Sequence, residues 1–185
     1  MNLEDLLKQA KEEQYRTMIA GNYPASFAYG YGEIIAEKVN WSPDLDLHDL
    51  LVRSGGDIHY VDYPTFHRHP GIFTNSIFVR NLNDFDIILP AYGDMMENRF
   101  TLAHELGHYV LHAKQSGKSF ALRNGDTLVE KQADCFALGF LMPSERFRTA
   151  TDQFKTEFEL SLAFRVPIFA ARARLESLGL ALNQK

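Results

Sequence analysis

The sequence predicts an α+β fold that is mostly helical, with a small sheet containing an antiparallel pair and a helical pair at the C-terminal end. Three observations carry this. Apolar residues recur at helical spacing through both ends of the chain. β-prone residues concentrate in the middle, from Ile58 to Leu89. Two short β-branched and aromatic runs there, Ser76–Arg80 and Phe85–Leu89, flank the polar stretch Asn81-Leu82-Asn83-Asp84 and read as an antiparallel pair.

Taken in order, Asn2 to Ile19 reads as an amphipathic helix with Leu3, Leu6, Leu7 and Ala10 on one face, stopped by Gly21, Asn22 and Pro24. A second helix is predicted from Ala25 to Val39. A third runs from Leu45 to Arg53, with Asp44 or Ser42 near its start and Gly55-Gly56 past its end. Ile58, Tyr60 and Val61 form a strand-like run, and Pro64, Pro70 and Gly71 punctuate the loop after it. After the strand pair comes a helix from Arg99 to His112, with Asn98 or Thr101 near its start. A polar loop, Lys114 to Asp126, precedes a long helix from Thr127 to Leu141 that ends at Met142-Pro143. Two more helical stretches follow, Glu157–Phe164 and Pro167–Leu178. Pro167 suits a first helical turn and Gly179 a left-handed C-terminal cap.

The bulk composition narrows the function classes. The 185 residues fit one domain or one domain with a small appendage. Division is expected at about residue 150, with residues 151–185 as a helical hairpin extension. Hydrophobic residues make up 45%, enough for a sizeable core. A net charge of -5 with no long block of like charge argues against a basic nucleic-acid surface. The single cysteine permits no intramolecular disulfide and favours a reducing compartment. Met1–Lys11 has no apolar signal core, and no apolar run approaches the roughly 20 residues that span a bilayer. The expectation is a cytoplasmic protein with neither membrane nor direct nucleic-acid partners.

The chemistry concentrates in His104-Glu105-Leu106-Gly107-His108, which reads H-E-x-x-H. On a helix, residues four apart share a face, so both imidazoles can point at one ion while Glu105 stands near enough to act as a base. A catalytic zinc takes three protein ligands and keeps one position open, so the motif requires a third ligand elsewhere. Glu130 and Asp134 form another i, i+4 pair on the following helix. Glu130 is the natural carboxylate ligand, and Asp134 could accept the second ring N–H of a ligating histidine. The alternative is that both acids form a solvated helix face, and that the two histidines are core residues.

The run Arg99-Phe100-Thr101-Leu102-Ala103-His104-Glu105-Leu106-Gly107-His108 is followed by Glu130-Lys131-Gln132-Ala133-Asp134-Cys135-Phe136-Ala137 and by Phe140-Leu141-Met142-Pro143. In this order it resembles the ImmA/IrrE family of metallopeptidases. Arg174-Leu175-Glu176-Ser177-Leu178-Gly179-Leu180 resembles that family's closing segment, whereas Val166-Pro167 departs from the expected Val-Ser. The resemblance covers about residues 80–180. It implies zinc ligands at His104, His108 and Glu130, Glu105 as general base, and a gluzincin-like core with a small sheet beside the motif helix, so that residues 1–150 would form a zincin-like domain. It also implies a setting in phages, mobile elements or stress operons, and a helix-turn-helix repressor as the protein that is cleaved or inactivated.

Other residues carry weaker signals. Tyr92, Tyr109 and Arg99 are candidate oxyanion donors by type alone. Ile87–Leu89 is where an extended substrate could add to a sheet edge, limited by Pro90. His112, one turn past His108, reads as a packing or supporting histidine rather than a fourth ligand. His67-Arg68-His69 reads as a solvated loop, Cys135 as a small buried residue and Trp41 as a packing anchor. Glu157–Phe164 and Pro167–Leu178 faintly resemble a helix-turn-helix, but the 5 basic and 4 acidic residues between Asp152 and Lys185 favour a packed hairpin or a partner platform. Two alternatives to a peptidase stand at this point. One is a regulator in which zinc is a structural staple and the partner is titrated by binding. The other is a toxin-type component of a two-gene module.

Overall fold

A computed structural model describes residues 15–62, 64, 76–113, 118–122 and 127–182. Strand β1 is Arg16–Thr17, followed by helices α1 (Ala25–Lys38) and α2 (Leu47–Arg53). Strands β2 (Gly56–Val61), β3 (Ser76–Asn81) and β4 (Asp84–Pro90) lead into helix α3 (Met95–His108), which ends in a π-helical turn, Tyr109–Ala113. Strand β5 (Ser119–Leu122) precedes α4 (Leu128–Leu141), α5 (Ser144–Gln153), α6 (Glu157–Phe164) and α7 (Ile168–Ser177). The fold is α+β, as the sequence predicts.

The five strands form one mixed sheet in the order β1-β5-β3-β4-β2. β3 and β4 are the expected antiparallel pair, with Ile77 opposite Ile87 and Val79 opposite Phe85. Asn83 at their turn takes a left-handed conformation (φ 63°), which asparagine tolerates better than most residues. The alternation of strand side chains puts Ile77, Val79, Phe85, Ile87 and Leu89 into the main core with Phe100, Ala103 and Leu106 of α3. The motif helix therefore lies against the sheet. The opposite face holds Ser76, Phe78, Asp86 and Ile88, all buried. Asp86, fully buried, accepts from Arg80 and lies 2.7 Å from His59 Nε2, so its charge is compensated across three strands.

Several boundaries differ from the sequence expectation. Most of the proposed first helix, 1–14, lies outside the described residues, and its end, Arg16–Thr17, is a strand paired in parallel with β5. Asp46, not Asp44 or Ser42, caps α2 by accepting from Asp49 N. The motif helix begins at Met95, because the Asp94 carboxylate accepts from the amides of Met96 and Glu97. Ser119–Leu122 is a strand between β1 and β3, where a loop was expected. Ser144–Gln153 is a helix, where none was expected. β4 is interior, paired with β3 on one side and β2 on the other, so Ile87–Leu89 has no open edge for a substrate strand. β2 and β1 are the outer strands among the described residues.

Helices α1 and α4 pack backbone to backbone. A Cβ at Gly32 would stand 2.3 Å from the Phe136 carbonyl oxygen, and one at Gly139 would stand 2.2 Å from that of Tyr29. α6, α7 and the turn between them add Leu160, Phe164, Val166, Ala170, Ala171 and Leu175 to the same core cluster as α3 and α4. Trp41 is buried and stacks on Phe164 with ring centroids 5.9 Å apart, as befits a packing anchor. Arg174, also buried, donates to the Met142 carbonyl (2.8 Å) and pairs with Glu33, joining α7 to α1 and to the end of α4. None of the described helices is long and apolar enough to cross a membrane.

Candidate metal centre

Two helices meet to build the site. α3 carries His104 and His108 on one face, one turn apart, with Glu105 beside them. α4 brings Glu130 in its first turn, where the N-cap Thr127 hydroxyl accepts from the Glu130 amide (3.3 Å) and so fixes where its carboxylate starts. His104 Nε2 and His108 Nε2 lie 2.9 Å apart. Glu130 Oε2 is 3.3 Å from His104 Nε2, and Glu130 Oε1 is 3.1 Å from His108 Nε2. The donor atoms of these three buried residues all lie within 4.8 Å of one another, a set that could hold a metal ion. The donor types suit a divalent metal that accepts nitrogen and carboxylate oxygen. Glu105 is 1% exposed, and its charge acts on His104.

A second layer of side chains holds the imidazoles of this cluster. Asp134, one turn after Glu130, has Oδ1 2.7 Å from His104 Nδ1. A proton held on Nδ1 leaves Nε2 to face the site. His108 Nδ1 lies 3.2 Å from His112 Nδ1, and His112 Nε2 lies 3.1 Å from Gln132 Oε1.

The titration of the cluster follows from this geometry. Burial alone would hold His104 neutral, but hydrogen bonds to Asp134 and Glu130 and the charge of Glu105 outweigh it and raise its pKa to about 9. Burial dominates at His108 and, with charged His104 beside it, lowers its pKa to about 4 despite the neighbouring Glu130 carboxylate. Burial would raise Glu130, yet the His104 and His108 imidazoles beside it hold it down at about 2. In the metal-free protein near neutral pH, His104 is thus the cation between two carboxylates. A metal needs its imidazole neutral. Uptake of a divalent metal by these three residues at a pH of about 7.5 is therefore expected to release roughly one proton. Calorimetric titration in buffers of different ionisation enthalpy measures this, and release of no proton would contradict the assignment.

The sequence signature of the IrrE N-terminal-like domain, Peptidase M78, matches residues 55–176, more than half of the chain. The chain belongs to this family. No curated protein and no solved structure matches it. Membership in Peptidase M78 gives the cluster a metallopeptidase-like setting: the matched span contains α3, α4 and the three converging side chains.

In this M78 domain the remaining candidates are placed as follows. Arg99 donates to the carbonyls of Leu45 (2.7 Å) and Ser42 (3.5 Å), and so ties α3 to the loop before α2. The Tyr109 hydroxyl accepts from the Asn83 amide (2.9 Å) at the β3–β4 turn, and its ring packs on Phe85. Both side chains are thus engaged in contacts that join elements of the fold. Tyr92 is exposed beyond β4. Cys135 is partly buried, and burial raises its thiol pKa while a hydrogen bond to Tyr29 opposes the rise; it is not among the converging donors. His67-Arg68-His69 lies outside the described residues. Gln132 was not foreseen. Its signal was a long amide two residues after Glu130, among residues that a helix buries on several sides.

Proposed function

We propose that this chain is a zinc-dependent metallopeptidase that cleaves a regulatory protein, a helix-turn-helix repressor above all, in the cytoplasm. The observation that supports it most is the convergence of two imidazole Nε2 atoms and one carboxylate, with a further buried carboxylate, Glu105, next to them. Ligand atoms about 2 Å from a tetrahedral zinc stand about 3.3 Å from one another; here the two Nε2 atoms are 2.9 Å apart, and one Glu130 oxygen lies 3.1 Å from His108 Nε2 while the other lies 3.3 Å from His104 Nε2. His104, His108 and Glu130 would hold the metal. Zinc, when bound, polarises a carbonyl oxygen and acidifies a water.

The chain's own residues do the rest. Glu105 takes a proton from the attacking water and returns it to the leaving amine. Its burial keeps competing water from the carboxylate. Asp134 holds His104 in register. A cavity of about 220 Å³ lined by Pro90, Gly93, Glu97, Phe100, Thr101 and Phe169 lies on the Thr101 side of α3. A repressor as target is supported by the family resemblance of Arg99–His108 and Glu130–Ala137, as is a mobile-element or stress-response setting.

The test uses the product of the adjacent open reading frame, incubated with the zinc-loaded protein, with chelator-treated protein and with Glu105→Gln. The expected result is a defined cleavage by mass spectrometry in the first case alone. If Glu105→Gln still inactivated the partner without cutting it, the protein would be a binding regulator with zinc as a staple.

A further inference from the structure

Gln132 and His112 lie behind the metal centre, and neither faces it. The Gln132 side chain sits on the backbone before α1. Its Nε2 is 2.7 Å from the Gly21 carbonyl oxygen and 3.2 Å from that of Tyr23, and its Oε1 is 3.0 Å from the Gly21 amide. A flipped amide would set oxygen against two carbonyls and NH2 against an N–H, so the backbone fixes its orientation. Gln132 Oε1 is therefore an acceptor. His112 Nε2, 3.1 Å away, must donate to it. In the neutral ring that leaves Nδ1 of His112 with a lone pair. The atom 3.2 Å from that lone pair is His108 Nδ1, which must then carry its own proton. A neutral imidazole with its proton on Nδ1 has a bare Nε2. That Nε2 is the atom which meets His104 and Glu130.

We infer that Gln132 and His112 are positioning residues for the metal centre: anchored on the backbone of residue 21, they hold His108 in the tautomer whose Nε2 is free to bind metal. This rests on the reading of His108 as a ligand. The two histidine ligands are thus supported by different means. His104 is oriented by a carboxylate that is 45% exposed at its side chain. His108 is oriented by a relay of neutral groups, with Gln132 1% and His112 0% exposed. A carboxylate behind each histidine would have added a further negative charge beside Glu105 and Glu130. An amide relay sets the tautomer without that charge. The π-helical turn after His108 carries His112 into the relay, and such turns recur at functional sites.

The test compares zinc affinity, by competition with a chromophoric chelator, in wild type, His112→Phe, His112→Gln and Glu130→Gln. His112→Phe keeps a planar ring but no acceptor, and is expected to weaken zinc binding by about 10–100-fold. His112→Gln offers a carbonyl to the His108 Nδ1–H and should recover most of that loss. Long-range proton–nitrogen NMR of the metal-free wild type should place the proton of His108 on Nδ1, and Gln132→Leu should mix the tautomers. A folded His112→Phe with wild-type affinity would overturn the relay, as would a His112→Gln no better than His112→Phe or a wild-type His108 protonated on Nε2. If the wild type took up no zinc, or Glu130→Gln bound it equally well, the metal centre itself would fall and the relay with it.

Discussion

Glu105→Gln is expected to reduce peptide hydrolysis by about 10²–10⁴-fold, the range usually contributed by a positioned general base, while zinc content stays at the wild-type level. The two halves of this prediction come from the same geometry. Glu105 is adjacent in sequence to His104, but the atoms that converge are those of His104, His108 and Glu130. Glutamine keeps the length and hydrogen-bonding reach of the side chain and loses only the ability to take a proton. A buried carboxylate, 1% exposed, is also a cost to the metal-free fold unless compensated. Here its charge is compensated by His104, whose protonated form it favours, so its removal should leave the folded protein no more stable. Turnover of a cleaved partner, zinc stoichiometry and a thermal melt, measured on one preparation, separate these effects. Loss of zinc along with activity would make Glu105 a ligand. Full activity without the carboxylate would exclude it as the base.

The site was more legible in the sequence than the fold around it, for a physical reason. A helix converts spacing into direction, so His104, His108, Glu130 and Asp134 could be paired from their i, i+4 intervals, and the structure brings all four together. Elements defined by distant partners gave no such signal. Ser119–Leu122 is a strand because β3 and β1 lie on either side of it, and in sequence it sits in a polar stretch. Ser144–Gln153 is polar and buries little beyond Phe147 and Ala150, so its apolar periodicity is thin. The start of α3 was missed because Asp94 caps it through a side-chain contact six residues ahead of Phe100, where the apolar pattern begins. Gln132 was missed because its partners, Gly21 and His112, are joined only by the packing of α4 between the first segment and α3. The interior position of β4 was hidden for the same reason: parallel pairing with β2 leaves no mark in either strand.

Gly139→Ala is expected to destabilise the protein by about 2–4 kcal/mol, within or just above the usual range for overpacking. By local propensity the change should help, since alanine is better than glycine inside a helix by about 1 kcal/mol. Contact decides against it. The new Cβ would lie 2.2 Å from the Tyr29 carbonyl oxygen and 2.9 Å from its carbon, and backbone cannot swing aside as the end of a side chain can. α1 and α4 must separate, which opens the interface between Tyr31 and Phe136 and moves the helix that bears Glu130, Gln132 and Asp134. For a chain of this size each kcal/mol shifts the melting temperature by about 2–4 °C, so a fall of roughly 5–15 °C is expected. Zinc affinity should fall as well, because Glu130 moves relative to α3 while His104 and His108 keep their mutual spacing. Gly32→Ala meets the Phe136 carbonyl oxygen at 2.3 Å across the same interface. The double variant should lose less than the sum of the two, since one separation of the helices relieves both clashes. A melting temperature that rose in Gly139→Ala would mean that helix propensity outweighs contact, and that α1 and α4 are not packed backbone to backbone.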